Sequence, residues 1–230
     1  MRLLDLFCGA GGAAKGYHNA GFDEIVGVDN HPQPRYPFTF VQADALEYVT
    51  AHGRDFDAIH ASPPCQAFTA YRRRPGLVGD YPDLIEPVRL ALSELGLPRV
   101  IENVYGAPLH NPLMICGTMY DPVMEIQRHR YFETNVKITP PIWPCRHALN
   151  GRNRFPGGRS KIDHGHSSVP VRRTIEIGVW KIPLSRQLEA MGIDWMNLEE
   201  LSEAIPPAYT EFIGRQLLTA LAAVPRQKPA

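Results

Sequence analysis

The chain opens with Leu3-Leu4-Asp5-Leu6-Phe7-Cys8-Gly9-Ala10-Gly11-Gly12, a short apolar run that breaks into a glycine-rich turn. Leu3 to Phe7 reads as a strand, and the residues after the turn, to about His18, read as a helix. Ile25 to Val28 is a second apolar run, and it ends on Asp29, 17 residues after Gly12. Strand, glycine turn, helix, strand and acid is the layout of a nucleotide-type cofactor site. Glycines let the backbone approach a ligand, and the acid accepts hydrogen bonds from ribose hydroxyls. The turn is Gly9-x-Gly11-Gly12 and no Lys-Ser/Thr pair follows it, which disfavours a phosphate-cradling loop. A tight turn with purely structural glycines would share the pattern.

The same alternation continues outward. His31 to Pro37 holds three prolines and is a loop; Thr39 to Val41 is a short strand before Asp44. Phe56 to His60 is a fourth strand, stopped by Ser62-Pro63-Pro64, and Arg72 to Asp80 is a polar loop. Leu84 to Leu95 has helical spacing, and Arg99-Val100-Ile101 is the next strand. Short strands alternating with helices predict an α/β fold with an open, doubly wound parallel sheet. Residues 135–183 are rich in Pro, Gly, Arg and His with weak periodicity, and read as a small irregular insert. Tyr209, Phe212, Ile213, Gln216, Leu217, Ala220, Leu221 and Val224 lie on one face of a closing helix, with Pro206 and Pro207 at its start. The expected division is therefore a core over 1–134, the insert over 135–183, and a C-terminal segment over 184–230 that returns to the core.

Length and composition agree with this. The 230 residues, 44% hydrophobic and 21% charged, suffice for one well-cored domain and argue against disorder. No stretch approaches the roughly 20 apolar residues of a membrane span. Met1-Arg2-Leu3-Leu4 would open a signal peptide, but Asp5 and Lys15 interrupt it. Cys8, Cys65, Cys116 and Cys145 are too scattered for a disulfide framework, so a reducing compartment is expected. The net charge of zero hides an asymmetry. Residues 127–173 carry ten Lys/Arg against two Asp/Glu, a local +8, and the rest of the chain carries −8. A polyanion would feel that segment, although a solvated basic face looks the same in sequence.

Two prolines stiffen the backbone ahead of Cys65, at the strand end where a doubly wound sheet lines its ligand crevice. A thiol there is presented for attack and needs a positive field or a base to ionise. Glu102-Asn103-Val104 ends the fifth strand at the same edge, so Glu102 is placed to act as a proton donor held protonated by desolvation. Gln127-Arg128-His129-Arg130 supplies cations for an anionic ligand or for Glu102.

These residues, taken together, resemble the DNA (cytosine-5) methyltransferases. Asp5 to Gly12 is similar to the family's first cofactor motif, Asp29 and Asp44 to its next two acids, Pro63-Pro64-Cys65-Gln66 to the nucleophile motif, Glu102-Asn103-Val104 to the Glu-Asn-Val motif, and Arg128-His129-Arg130 to Arg-x-Arg. Residues 186–214 resemble the last motifs more loosely, with Ser202-Glu203-Ala204-Ile205-Pro206-Pro207 where the family usually has Gly-Asn before a small residue and Val-Pro. The resemblance implies a Rossmann-like fold of the S-adenosylmethionine-dependent methyltransferase type, with residues 135–183 as target-recognition insert.

It also implies a reaction. Cys65 would add to carbon 6 of a flipped-out cytosine, Glu102 would hydrogen-bond or protonate ring nitrogen 3, and Arg128 and Arg130 would orient the base and Glu102. S-adenosylmethionine would be the donor, leaving as S-adenosylhomocysteine. Its cradle would comprise Asp5, Phe7, Cys8, Gly9, Ala10, Gly11, Gly12, Asp29, Asn30, Asp44, Ala45 and Pro63. Phe7 would stack on adenine, Asp29 would hold the ribose, and Asp44 the adenine amino group. Gln66, Arg72, Arg73, Arg74, Arg152 and Arg154 would meet DNA. The expected setting is the cytoplasm of a bacterium or phage-infected host, with no membrane partner. Cys145-x-His147 and His164-x-His166 do not match a standard zinc spacing, and no metal is expected. Methylation of tRNA cytosine, and a non-catalytic DNA-binding protein on the same scaffold, are the alternatives. The amino-methyltransferases, which share Ser-Pro-Pro, would have an aromatic residue in place of Cys65.

Overall fold

Leu3, Leu4 and Leu6 are all fully buried, yet they serve opposite faces of one sheet. Alternation along the first strand, β1 (Arg2–Leu6), sends Leu3 to one core, and Leu4 and Leu6 to the other. The computed structural model describes residues 1–68, 82–120, 124–145 and 175–223. Beside β1 run β2 (Glu24–Asp29), β3 (Thr39–Gln42), β4 (Ala58–Ala61) and β5 (Arg99–Asn103), all parallel. The sheet order is β3-β2-β1-β4-β5-β7-β6. Its far edge departs from the all-parallel expectation: β7 (Arg130–Thr134) runs antiparallel to both β5 and β6 (Leu113–Ile115). Sequence reading missed both strands, because each is short and β7 interleaves charged and aromatic residues. A buried bidentate ion pair, Arg89 Nε and Nη2 to Glu133 Oε1 and Oε2 at 2.8 Å each, ties β7 to a helix beneath the sheet.

The helices cover both faces. On one side lie α1 (Gly12–Ala20) and α6 (Pro207–Ala223), burying Tyr17, Phe22, Ile25, Tyr209, Ile213 and Leu217 with Leu3. On the other lie α2 (Ala45–His52) and α3 (Ile85–Leu95), burying Val49, Val88 and Leu92 with Leu4, Leu6 and Val28. Gly16 lets α6 approach: a Cβ there would stand 2.0 Å from Thr210 Oγ1 and 2.1 Å from the Pro207 carbonyl. Two further helices, α4 (Leu184–Met191) and α5 (Leu198–Glu203), pack Met191, Ile193, Met196 and Leu201 against Ala10 in the glycine turn. Asn197 opens α5 with a reciprocal capping box to Glu200.

This topology fixes where a ligand can sit. From β1 the chain winds one way to β2 and β3, then returns to the other side of β1 with β4. The C-terminal ends of β1 and β4 therefore flank a topological switch point, the usual crevice of such sheets. The glycine turn follows β1, and Ser62-Pro63-Pro64-Cys65 follows β4. Among the described residues no helix is long and apolar enough to cross a membrane.

Candidate active site

At the β1 end the chain bends sharply. Phe7 takes φ 57°, Gly9 φ 48° and Gly11 φ 87°, left-handed conformations that cost a residue with a side chain energy. Phe7 is thus a strained non-glycine residue at the point where adenine is expected. The turn is held from several directions. Gly9 N–H donates to Asp29 Oδ2 at 3.0 Å, His31 N–H to Asp29 Oδ1 at 3.0 Å, and the Trp195 indole to the Ala10 carbonyl at 2.8 Å. Cys8 N–H donates to the Val28 carbonyl at 3.1 Å, and burial pushes its thiol up, so Cys8 packs as a neutral group. A Cβ added at Gly9 would meet nothing within 4 Å, so the turn has open space above it; Gly12 by contrast abuts the Ile205 carbonyl.

The other acids differ in their surroundings. Asp5 is fully buried on the strand, accepts from the Tyr36 hydroxyl at 3.3 Å, and leaves Oδ1 without a hydrogen bond. Burial raises its pKa well above the ordinary range. Asp44 is exposed and caps α2, its Oδ1 accepting from Leu46 N–H at 2.8 Å and Glu47 N–H at 2.9 Å. Ala45 is buried as the first residue of that helix, and Asn30 is exposed, its carbonyl accepting from Gln42.

At the β4 end, Cys65 is half-buried beside Gln66, and Pro63 is buried. The Pro63 carbonyl accepts from Asn103 Nδ2 at 2.9 Å, and Asn103 Oδ1 accepts from Val104 N–H at 2.9 Å. One amide thus locks the proline turn to the end of β5. Glu102, 6% exposed, projects from the same strand. Arg130 Nε lies 3.0 Å from its Oε1, an ion pair without hydrogen-bond alignment, since Oε1 has no hydrogen-bond partner. Burial raises the Glu102 pKa, with Arg130, Arg128 and a hydrogen bond from Ser62 opposing. Burial also raises the Cys65 pKa; Arg130 pulls it down, and Glu102 pushes it up.

Sequence reading missed the group behind Glu102. Ser62 is hydrogen-bonded to His60 Nε2 at 2.7 Å, and His60 Nδ1 to the Tyr17 hydroxyl at 2.9 Å. Burial lowers the His60 pKa to about 3, so the ring is neutral. Neither the strand pattern around His60 nor the helical pattern around Tyr17 announces this pairing across 43 residues.

Arg128 and Arg130 also reach the C-terminal end of α5. Arg128 Nη2 donates to the Ser202 carbonyl and Arg130 Nη2 to the Glu203 carbonyl at 3.4 Å, serving carbonyls a helix end leaves unpaired. Arg128 Nε is buried without a hydrogen bond. Burial and the neighbouring Arg130 lower the Arg128 pKa, though a guanidinium remains protonated near neutrality. Ser202 and Glu203 therefore stand at the site through their backbone carbonyls. Burial and the nearby Glu199 and Asp29 raise the Glu203 pKa, against Arg128 and Arg130. Arg72, Arg73, Arg74, Arg152 and Arg154 lie outside the described residues, as do His147, His164 and His166.

Comparison with known proteins shows what the chain is similar to. Residues 1–111 match the C-5 cytosine-specific DNA methylase model. The Type II methyltransferase M.AgeI of Thalassovita gelatinovora is 33% identical over 91 residues, 32% of this chain and 21% of that protein. M.AquIA of a Picosynechococcus strain is 31% identical over 123 residues, 46% of this chain and 49% of that protein. M.HgiGI of Herpetosiphon aurantiacus is 27% identical over 122 residues, 47% of this chain and 94% of that protein. The chain thus spans half or less of the length of the first two. A solved E. coli prophage protein, described provisionally as a DNA modification methyltransferase, shares the fold: TM-score 0.62 at 15% identity, over 96% of this chain and 99% of that one.

Proposed function

We propose that the chain is a member of the C-5 cytosine-specific DNA methylase family, whose model matches residues 1–111, and that it methylates carbon 5 of a flipped-out cytosine in DNA through a covalent Cys65 adduct. One observation carries the reading: a half-buried thiol, a buried carboxyl and a guanidinium meet where β4 and β5 end, with the thiol's ionisation sensitive to both neighbours. A structural cysteine would not need that company.

The cofactor end supports S-adenosylmethionine. Open space above Gly9, and the lone pairs that Asp29 retains after two backbone hydrogen bonds, fit a nucleoside. Phe7 would stack on adenine and Asp29 would take the ribose hydroxyls. Asp44, its Oδ1 committed to α2, would meet the adenine amino group with Oδ2. The chemistry the bound donor supplies is an electrophilic sulfonium methyl for an activated carbon 5.

The chain's own residues do the activating. Cys65 loses its proton to solvent water, the Arg130 charge favouring the thiolate, and its sulfur forms a bond to carbon 6. The displaced ring electrons move toward nitrogen 3, where Glu102, whose carboxyl group burial shifts toward the protonated form, donates a proton. Arg130 then stabilises the Glu102 carboxylate and the ring oxygen. After methylation a base such as water removes the carbon 5 proton. The carbon–sulfur bond breaks, the thiolate leaves, and Glu102 recovers its proton.

DNA containing 5-fluorocytosine tests this, because fluorine at carbon 5 blocks the final elimination. Incubated with the donor, the wild-type chain is expected to form a denaturation-resistant complex that Cys65→Ser does not form. Equal trapping by both proteins, or none by the wild type, overturns the assignment.

A further inference from the structure

Where β6 ends and β7 begins, three ligating atoms converge. Cys116 Sγ, His129 Nε2 and Cys145 Sγ all lie within 4.8 Å of one another, Cys116 buried and the other two half-buried. His129 Nε2 is 3.3 Å from Cys145 Sγ. The three come from different stretches: Cys116 directly follows β6, His129 precedes β7, and Cys145 ends the described segment after β7. Sequence reading considered Cys145 only with His147, because nothing in the spacing pairs it with residues 29 and 16 positions earlier.

We infer that Cys116, His129 and Cys145 form a zinc site that clips the start of the basic insert to the strand carrying Arg130. Two thiolates and an imidazole are the soft and borderline donors that favour zinc over magnesium or calcium. Tetrahedral zinc, with bonds of about 2.3 Å to sulfur and about 2.0 Å to nitrogen, sets donor atoms roughly 3.5–3.8 Å apart. The observed cluster is within about 1 Å of that. Thr118 supplies an outer contact: its hydroxyl is 3.4 Å from Cys116 Sγ and 3.5 Å from Cys145 Sγ, placed to hydrogen-bond a thiolate and orient it. Binding releases a proton from each thiol to solvent, and the fourth position falls to water.

His129 stands between Arg128 and Arg130, so an ion here would fix the backbone that presents both guanidinium groups. The inference does not rest on the methyl-transfer reading, since the site would bind metal whether or not Cys65 reacts.

Cobalt substitution reads the ligands without any assay of activity. The full chain, purified in zinc-free buffer, is expected to retain about one zinc per molecule. Replaced by cobalt, it should show intense visible bands of a tetrahedral centre and thiolate-to-cobalt charge transfer in the near ultraviolet. Cys145→Ser and Cys116→Ser should each remove about half of the charge transfer, and the double variant all of it. Because Cys116 is fully buried and its variant could misfold, His129→Gln, which should shift the visible bands while keeping both thiolates, is the second probe. Cys65→Ser and Cys8→Ser should leave the spectrum unchanged. The proposal is overturned by a cobalt spectrum without thiolate charge transfer, by one that persists in the Cys116/Cys145 double variant, or by a metal-free chain in which these two thiols are lost to a disulfide.

Discussion

The two ends of the crevice are built on opposite plans. At the β1 end the acids outside the core are spent on the backbone, Asp29 holding two peptide N–H groups and Asp44 two more, and the one unpaired buried oxygen there among the described residues belongs to Asp5, within the strand. The turn is pinned before any ligand arrives, and binding would add to contacts already made. At the β4 end polar atoms are buried and left over. Glu102 Oε1 and Arg128 Nε have no hydrogen bond, and burial raises the pKa of both Cys65 and Glu102. Such groups are costly to bury unpaired. On the proposed reading, the first end would govern affinity for the donor and the second the chemical step.

Glu102→Gln should break the second end most severely. Gln keeps the shape and a hydrogen-bond donor but cannot deliver a proton. Turnover is expected to fall about 10²- to 10⁴-fold with little change in donor affinity. Single-turnover kinetics with a parallel donor titration separates the two; a variant that loses affinity but keeps its rate would erase the distinction. Asp29→Ala probes the first end. Loss of charge-assisted contacts worth about 1.5–3 kcal/mol should weaken the donor roughly 10- to 100-fold, while the melting curve stays cooperative. Unchanged affinity by calorimetric titration would remove Asp29 from the cofactor site.

The same contrast explains what could be read from the sequence. The β1 end is local: the glycines, the following helix and Asp29 fall within 29 residues, and their pattern is that of strand and turn. The order of Cys65, Glu102 and Arg130 was also legible, because each sits at a strand end or in a short motif. What was hidden is what crosses the chain. Trp195 anchors the Ala10 carbonyl from 185 residues away, and the ends of α5 and of the glycine turn pack through Ala204 and Ile205. β6 and β7 stayed invisible because a three-residue strand and a half-charged one carry no period. Asn103 was legible as part of a motif, but its grip on the Pro63 carbonyl was not.

The smallest effect concerns the chain that runs from Tyr17 to Glu102, and it decides whether the second end is rigid. A neutral His60 has one N–H and one lone pair. The direction that uses every donor once has Tyr17 donating to Nδ1, Nε2–H donating to Ser62, and Ser62 donating to Glu102. A proton added to Nδ1 would face the Tyr17 oxygen and reverse that order, which is consistent with a pKa lowered to about 3. The sign of the pH effect follows. Above about pH 6.5 the ring is neutral folded and unfolded alike. Below it the unfolded chain binds a proton the native ring refuses, so stability falls by about 1.4 kcal/mol per pH unit until the pH nears the native value. Asp5 and Glu102, whose pKa values folding raises, act oppositely: their contribution is present at low pH and lost as pH rises. The imidazole must therefore be isolated by difference. In urea unfolding, the stability lost between pH 7 and pH 5 should be about 2 kcal/mol smaller in His60→Asn than in the wild type. Parallel pH profiles would mean that the native ring accepts its proton, and that Glu102 is held by something looser than a closed line of hydrogen bonds.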